Sequence, residues 1–265
     1  MDRRPIGVFD SGVGGLTVVK KLSEVLPHED IVYLGDTARV PYGNKSKETV
    51  TRFAIECARF LKKFNIKLLV VACNTASSSS LKSLKRAFSF PVIGVIKPAV
   101  KEACFETRNF KIAVIGTKAT IKSASYINEI KKNNKKIRIY QKACPLLVPL
   151  VEENWLKGKI TFDITSRYLK ELKDKNIDTL ILGCTHYPLL KGIFKKVFKM
   201  GTNIIDSSSS VSREIKIFLK KENLENKNKR KANLKFFVSD DPRSFARISK
   251  FFLKKPIEVK KVNLP

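Results

Sequence analysis

Two cysteines stand at matching places in this 265-residue chain, each closing an apolar run and each followed at once by polar residues. The first is Cys73 in "KLLVVACNTA" (67–76), with Asn74 and Thr75 after it; the second is Cys184 in "TLILGCTHYP" (179–188), with Thr185 and His186. A cysteine after an apolar strand is by default a small buried hydrophobe. That reading suffices for Cys57 and Cys104, which fall on or near amphipathic stretches. Cys73 and Cys184 differ, because a strand-to-helix junction offers free backbone N–H groups that lower a thiol's pKa. The expectation is a pair of acid/base thiols. Zinc is the competing use of "CTH", but it needs three or four ligands at interpretable spacing. The chain has no CxxC and one other histidine, His28, so no metal site is expected.

Near the N-terminus, "DSGVGG" (10–15) follows a strand-like run and precedes a helix-like one. Gly12, Gly14 and Gly15 predict a tight turn aiming N–H groups at an anion. The third glycine of a dinucleotide fingerprint would fall at Thr17, and the Gly-Lys-Ser/Thr of a P-loop is missing. What remains is a carboxylate-binding turn with Asp10 and Ser11 at its mouth. By itself "GDTARVPYG" (35–43) reads as a connecting loop, and Glu152 in "ACPLLVPLVEEN" (143–154) as a solvated loop carboxylate.

Short apolar runs alternate with amphipathic stretches, the mark of βαβ units. Strands are predicted over 6–10, 31–36, 68–73, 92–95, 111–117, 137–141, 180–184 and 204–207, and helices over 47–65, 162–176 and 211–221. In the second helix, Ile164, Tyr168, Leu169 and Leu172 supply the helical spacing. A run such as "LLVVAC" is apolar throughout, as parallel strands covered on both faces require. An internal repeat connects the halves. A shift of 111 residues superposes Leu61 on Leu172, Asn65 on Asn176, Ile66 on Ile177 and Cys73 on Cys184. A similar shift lays "IGVFDS" (6–11) over "IAVIGT" (112–117), and "VIGV" (92–95) falls near "NIID" (203–206).

The expected fold is α/β: two pseudo-symmetric α/β domains with mainly parallel sheets and the active site in the cleft between them. Open parallel sheets bind ligands outside the carboxyl ends of their strands, so both cysteines would reach that cleft. The division expected is residues 1–97 plus the C-terminal tail 208–265, and residues 98–207. Within the tail, 222–235 reads as a polar, mobile surface loop. Residues 236–253 read as a final strand and helix, with Asp240 or Asp241 as N-cap and Pro242 opening the helix.

The net charge of +29 invites a nucleic-acid reading. The lysines, however, are spread over nearly every predicted helix face, and aromatics do not interleave with them in an RNA-binding pattern. Compositional drift on solvated faces is preferred, and specific nucleic-acid binding is not expected. No apolar run approaches the roughly 18 residues of a membrane span. No signal-peptide h-region precedes "IGVFD", and five cysteines suit a reducing compartment. The localisation expected is cytoplasmic, with no membrane partner. The sequence leaves the oligomeric state open, a homodimer included.

Taken together, "FDSGVGGLTV" (9–18), "YLGDTARVPYG" (33–43), "VACNTAS" (71–77), "ACPLLVPLVE" (143–152) and "LGCTHYPLL" (182–190) resemble the glutamate racemase family. The resemblance runs in order from the N-terminus to about residue 207. It implies interconversion of L- and D-glutamate without a cofactor, supplying D-glutamate for peptidoglycan. The chemistry fits two thiols on opposite faces of a substrate carbon, one taking the α-proton and the other returning one. By the resemblance, Cys73 deprotonates D-glutamate and Cys184 deprotonates L-glutamate. Asp10, Ser11, Tyr42, Gly43, Asn74, Thr75, Thr185 and His186 would hold the substrate, with Asp10 near its ammonium. Asp10, Glu152 and His186 would tune the thiols. Two stretches, "NTASSSS" and "IDSSSS", are more serine-rich than the family's usual versions. Only five residues precede "IGVFD", so regulation by a peptidoglycan precursor is not expected. The alternatives are an aspartate racemase of the same superfamily and, from a different class, a basic nucleic-acid-associated protein.

Overall fold

The computed structural model describes residues 2–198, 201–228 and 230–264; Met1, Lys199, Met200, Pro265 and, in the expected surface loop, Lys229 lie outside the described residues. Two sheets carry the fold. The first holds β1 (Ile6–Asp10), β2 (Ile31–Gly35), β3 (Leu68–Val71) and β4 (Val92–Gly94), joined from the tail by β9 (Leu234–Val238) and β10 (Val259–Lys261). The second holds β5 (Lys111–Gly116), β6 (Arg138–Ala143), β7 (Thr179–Gly183) and β8 (Asn203–Asp206). Every strand pairing is parallel. The strand order is β10-β9-β2-β1-β3-β4 in the first sheet and β6-β5-β7-β8 in the second.

The order β2-β1-β3-β4 is thus repeated by β6-β5-β7-β8, and register makes the repeat explicit. Phe9 pairs with Val71, and Ile115 pairs with Leu182. Stepping on two residues from Val71 and Leu182 reaches Cys73 and Cys184, the relation the 111-residue shift predicts. For the fourth strands the register corrects the offset by one: Val70 pairs with Ile93 while Ile181 pairs with Ile205. In both sheets the chain reverses its winding between the first and third strands. A crevice opens there beyond the carboxyl ends, where open α/β sheets place their ligands.

Helices α1 (Leu16–Val25), α2 (Lys47–Lys62), α3 (Asn74–Ala87), α4 (Ile96–Glu106), α5 (Lys118–Lys122), α6 (Ser125–Asn133), α7 (Leu147–Glu152), α8 (Lys159–Lys173), α9 (Lys191–Phe198), α10 (Ser207–Lys221) and α11 (Pro242–Leu253) cover the sheets. One apolar cluster draws on both halves: Val8, Leu16, Val70 and Tyr33 share it with Leu180, Tyr187, Val211 and Ile215. The two halves are therefore joined by core as well as by chain.

Several expected boundaries move, each for a local reason. The helix expected over 162–176 begins at Lys159, after Gly158 at φ 98°; Leu169 and Leu172 of the expected stripe are buried with Thr161 and Thr165, while Ile164 and Tyr168 pack half-buried against the same core. The helix expected from 211 starts at Ser207, because the Asp206 carboxylate caps it by accepting the Ser209 N–H at 2.8 Å. Serines 207–210 are thus its first turn, and Ser210 and Ser212 return hydrogen bonds to carbonyls four residues back. The loop expected over 143–154 contains α7, and 35–43 contains one short 3-10 turn, Thr37–Arg39, and the start of another, Tyr42–Asn44. The segment after α10 is not a free surface loop. The Leu224 carbonyl accepts from the buried Lys67 Nζ at 2.6 Å, and the Asn226 N–H donates to the buried Glu29 at 2.7 Å. Strand β10 carried no recognised signal. The capping of α11 follows the pattern expected, with Asp241 accepting from the Ser244 N–H and Pro242 opening the helix.

Candidate active site

Cys73 ends the β3 run as the N-cap of α3, its Sγ accepting the Ala76 N–H at 3.4 Å and lying 3.7 Å from Ser11 Oγ. Cys184 follows β7 into a turn and then a 3-10 helix (Tyr187–Leu190), so no α-helix N-terminus meets its thiol. His186 takes that place, with Nδ1 3.8 Å from Cys184 Sγ and Nε2 3.0 Å from Glu152 Oε1. Both thiols line one cavity of about 210 Å³ between the halves. That is below the roughly 300–1,000 Å³ typical of sites for drug-sized ligands.

Of the residues singled out from the sequence, Ser11, Tyr42, Gly43, Cys73, Asn74, Thr75, Glu152, Cys184, Thr185 and His186 all border this cavity. Asp10 does not. It is fully buried behind the wall, where one carboxylate oxygen accepts the N–H groups of Gly15 at 2.9 Å and Gly12 at 3.2 Å. Asp10 thus stands behind the residues that line the cavity, with the glycine turn wrapped against it. Two of its N–H groups serve Asp10, and neither Gly14 nor Gly15 has positive φ. Their constraint is close approach. A Cβ on Gly14 would collide with Thr185 Oγ1 and the His186 ring, and one on Gly15 with Asp10.

The side chains of Tyr42 and Asn74 are also already engaged. The Tyr42 hydroxyl donates to Asp36, and both ends of the Asn74 amide have protein partners. Backbone groups take over. The N–H groups of Tyr42, Gly43, Asn74, Thr75, Thr185 and His186 have no acceptor among the described residues. Two anionic groups of a ligand can be held by such donors without any cationic side chain.

The model of the Asp/Glu/Hydantoin racemase family matches residues 6–213. The chain belongs to this racemase family. It is 51% identical over 259 residues to a glutamate racemase of Persephonella marina, covering 98% of this chain and 97% of that one. The racemase fold superposes on a glutamate racemase isoform of Bacillus anthracis with TM-score 0.97 at 40% identity, covering 100% of this chain and 99% of that one. A glutamate racemase of Francisella tularensis, solved with D-glutamate, gives TM-score 0.92 at 39% identity, covering 99% and 98%.

The electrostatics of the racemase cleft are asymmetric. Burial and the nearby Asp10 push the Cys73 thiol up to about 12, outweighing the Ala76 N–H and Ser11. This reverses the expectation that the helix junction would lower it. Burial disfavours charge on His186 too, but hydrogen bonds to Cys184 and Glu152 prevail and raise it to about 10. Asp10 is raised by burial, against the pull of His186 and the surrounding N–H groups. One thiol thus faces a carboxylate and the other an imidazolium.

Thr117 and Lys118 also line the cleft and were not singled out. The signal for Thr117 was present, since the repeat lays it over Ser11. Lys118, exposed at the start of α5, had no signal beyond its neighbour. Val40, Pro41, Pro145, Val148 and Pro149 supply apolar wall from stretches that read as loops.

Proposed function

We propose that this chain is a cofactor-independent glutamate racemase, working in the cytoplasm and supplying D-glutamate for peptidoglycan. The observation that carries the reading is the pair of cysteines at equivalent ends of equivalent strands, both opening on one small cavity. L-glutamate gives its α-proton to the Cys184 thiolate, whose negative charge the imidazolium of His186 stabilises. The electron pair left on the α-carbon spreads into the α-carboxylate, which unpartnered N–H groups hold. Cys73, kept as a thiol by burial and Asp10, delivers its proton to the opposite face and becomes the thiolate. The reverse reaction exchanges the roles.

Thr75, Thr185 and their neighbours hold the carboxylates through backbone N–H groups, with Ser11 and Thr117 hydroxyls beside them. Asp10 acts from behind the wall on Cys73 and on Thr185, whose hydroxyl lies 3.5 Å from its carboxylate. Glu152 keeps His186 charged and oriented. An aspartate substrate would use the same thiols, but the full-length relatives described above are all glutamate racemases.

Racemisation of glutamate followed by circular dichroism, with no cofactor added, tests the activity. Cys73→Ser and Cys184→Ser test the division of labour in deuterium oxide. Each should abolish racemisation. Cys73→Ser should still exchange the α-proton of L-glutamate, and Cys184→Ser that of D-glutamate. Racemisation surviving in either variant overturns the two-thiol mechanism.

A further inference from the structure

Asn74 adjoins Cys73, yet its side chain is committed to the other half of the molecule. The Tyr126 hydroxyl, on α6, donates to Asn74 Oδ1 at 2.7 Å. Asn74 Nδ2 donates to Ser207 Oγ at 3.3 Å, and the Ser207 hydroxyl reaches the Leu182 carbonyl at 3.5 Å. Every donor in this series has one acceptor and the direction never reverses: phenol to amide oxygen, amide nitrogen to hydroxyl, hydroxyl to backbone carbonyl. Tyr126, Asn74, Leu182 and Ser207 are all buried, so water does not compete for these bonds. The series begins on α6 and passes through the neighbour of Cys73. It ends on β7, two residues before Cys184.

We propose that Tyr126 and Ser207 are positioning residues for racemisation: acting through Asn74, they fix the separation of the Cys73 and Cys184 thiols across the cleft. The inference rests on the two-thiol reading given above. Neither residue borders the cavity, so neither touches the substrate. The geometry also assigns Asn74 a different part from the one its motif suggests. Its amide holds the two halves in register, and its backbone N–H is what remains for a ligand. Spacing matters here because each thiol must meet the same carbon from an opposite face. A misplacement of about 1 Å can cost on the order of a hundredfold in rate.

The test follows glutamate by circular dichroism and, in deuterium oxide, by NMR of both the recovered starting enantiomer and the inverted product. Wild type should racemise and place deuterium almost wholly in the product. Tyr126→Phe removes the donor to Asn74 Oδ1 while keeping the ring. It should lower kcat roughly tenfold to a hundredfold, with KM little changed. It should also raise deuterium in uninverted glutamate. A looser pair gives the abstracting thiol time to exchange with solvent and return a deuteron to the same face. Ser207→Ala should give the same signature from the other end of the series, and it decides the matter if Tyr126→Phe fails to fold. In an Asn74→Ala background neither change should add a further loss, since the series is already broken. The inference is overturned if folded variants keep the wild-type kcat and ratio of exchange to inversion, or if their losses multiply with that of Asn74→Ala. A wild type that does not racemise glutamate fails the function reading instead, and that result is seen before any variant is made.

Discussion

His186 is one of two histidines in the chain, and its neighbours define what it can do. Glu152 lies on one ring nitrogen and Cys184 on the other, and together they raise its pKa from 6.5 to about 10 despite burial. A histidine whose folded pKa exceeds its unfolded value binds a proton more tightly when folded. The stability this adds is fully present below about pH 6.5 and is lost as pH rises through about 10. Wild type should therefore lose thermal stability across that window. Glu152→Gln removes one of the two stabilising partners, so the loss should be complete at a lower pH. Melting temperatures of both proteins at a series of pH values check this, and superimposable curves would sink it. The same variant should pull in the alkaline limb of the kcat profile. Because the two enantiomers have equal free energy, kcat/KM must fall equally in both directions. The directions can differ only in how the loss divides between kcat and KM.

At the scale of elements, the turn between β1 and α1 is set by what lies against it. Gly14 packs under Thr185 and His186, so Gly14→Ala must push the Cys184 segment away from its position. We expect a loss of about 1–3 kcal/mol in stability from overpacking and a fall of roughly a hundredfold in kcat/KM from misplacement. Gly192, on the exposed face of α9, has open space at its Cβ position. Gly192→Ala should leave activity intact and stabilise by about 0.5–1 kcal/mol, the helix-propensity difference. Urea denaturation with parallel rate assays distinguishes the two, and equal behaviour would refute the packing account. These glycines also show what the sequence could and could not convey. Apolar runs such as "LLVVAC" and the 111-residue repeat mark the strands other than β10, the two halves and both thiols, because such patterns lie in the order of residues alone. That Gly14 answers to His186, or that Asp10 sits behind the wall with its carboxylate on Gly12 and Gly15, depends on contacts made only after folding. The sign of the Cys73 shift was likewise hidden, since burial at 5% exposure outweighs a helix N-terminus that is visible from the sequence. Asp206 as a cap escapes a reading that ends the strand at Ser207 and begins the helix at Val211, whereas in the helix the hydroxyls of the serines between them bond back to Asp206.

Across the whole molecule, surface charge and one buried ion pair act on stability in different ways. The net charge of +29 leaves most surface cations without an anionic partner, and like-charge repulsion opposes the compact state. Lys67 differs from these in being buried with its partner. It lies just before β3, at the end of the sheet away from the cleft, buried 2.6 Å from Glu29 and donating to the carbonyls of Asp2 and Leu224. It ties the N-terminal segment, the approach to β2 and the segment after α10 to one point. Added salt should screen the surface repulsion, whose range is about 10 Å at 0.1 M and about 3 Å at 1 M. It should barely reach the buried pair. Melting temperature is thus expected to rise with sodium chloride in the wild type, contrary to a protein held by surface ion pairs. Lys67→Met should cost about 3–5 kcal/mol, because Glu29 is left buried without its counter-charge. That cost should be nearly the same at low and high salt. Below its melting temperature the variant should keep wild-type kcat, since no residue of the cleft is touched. A melting temperature that falls with salt in the wild type would show that paired surface charges dominate, and a Lys67→Met penalty that disappears at high salt would show that the pair is open to solvent.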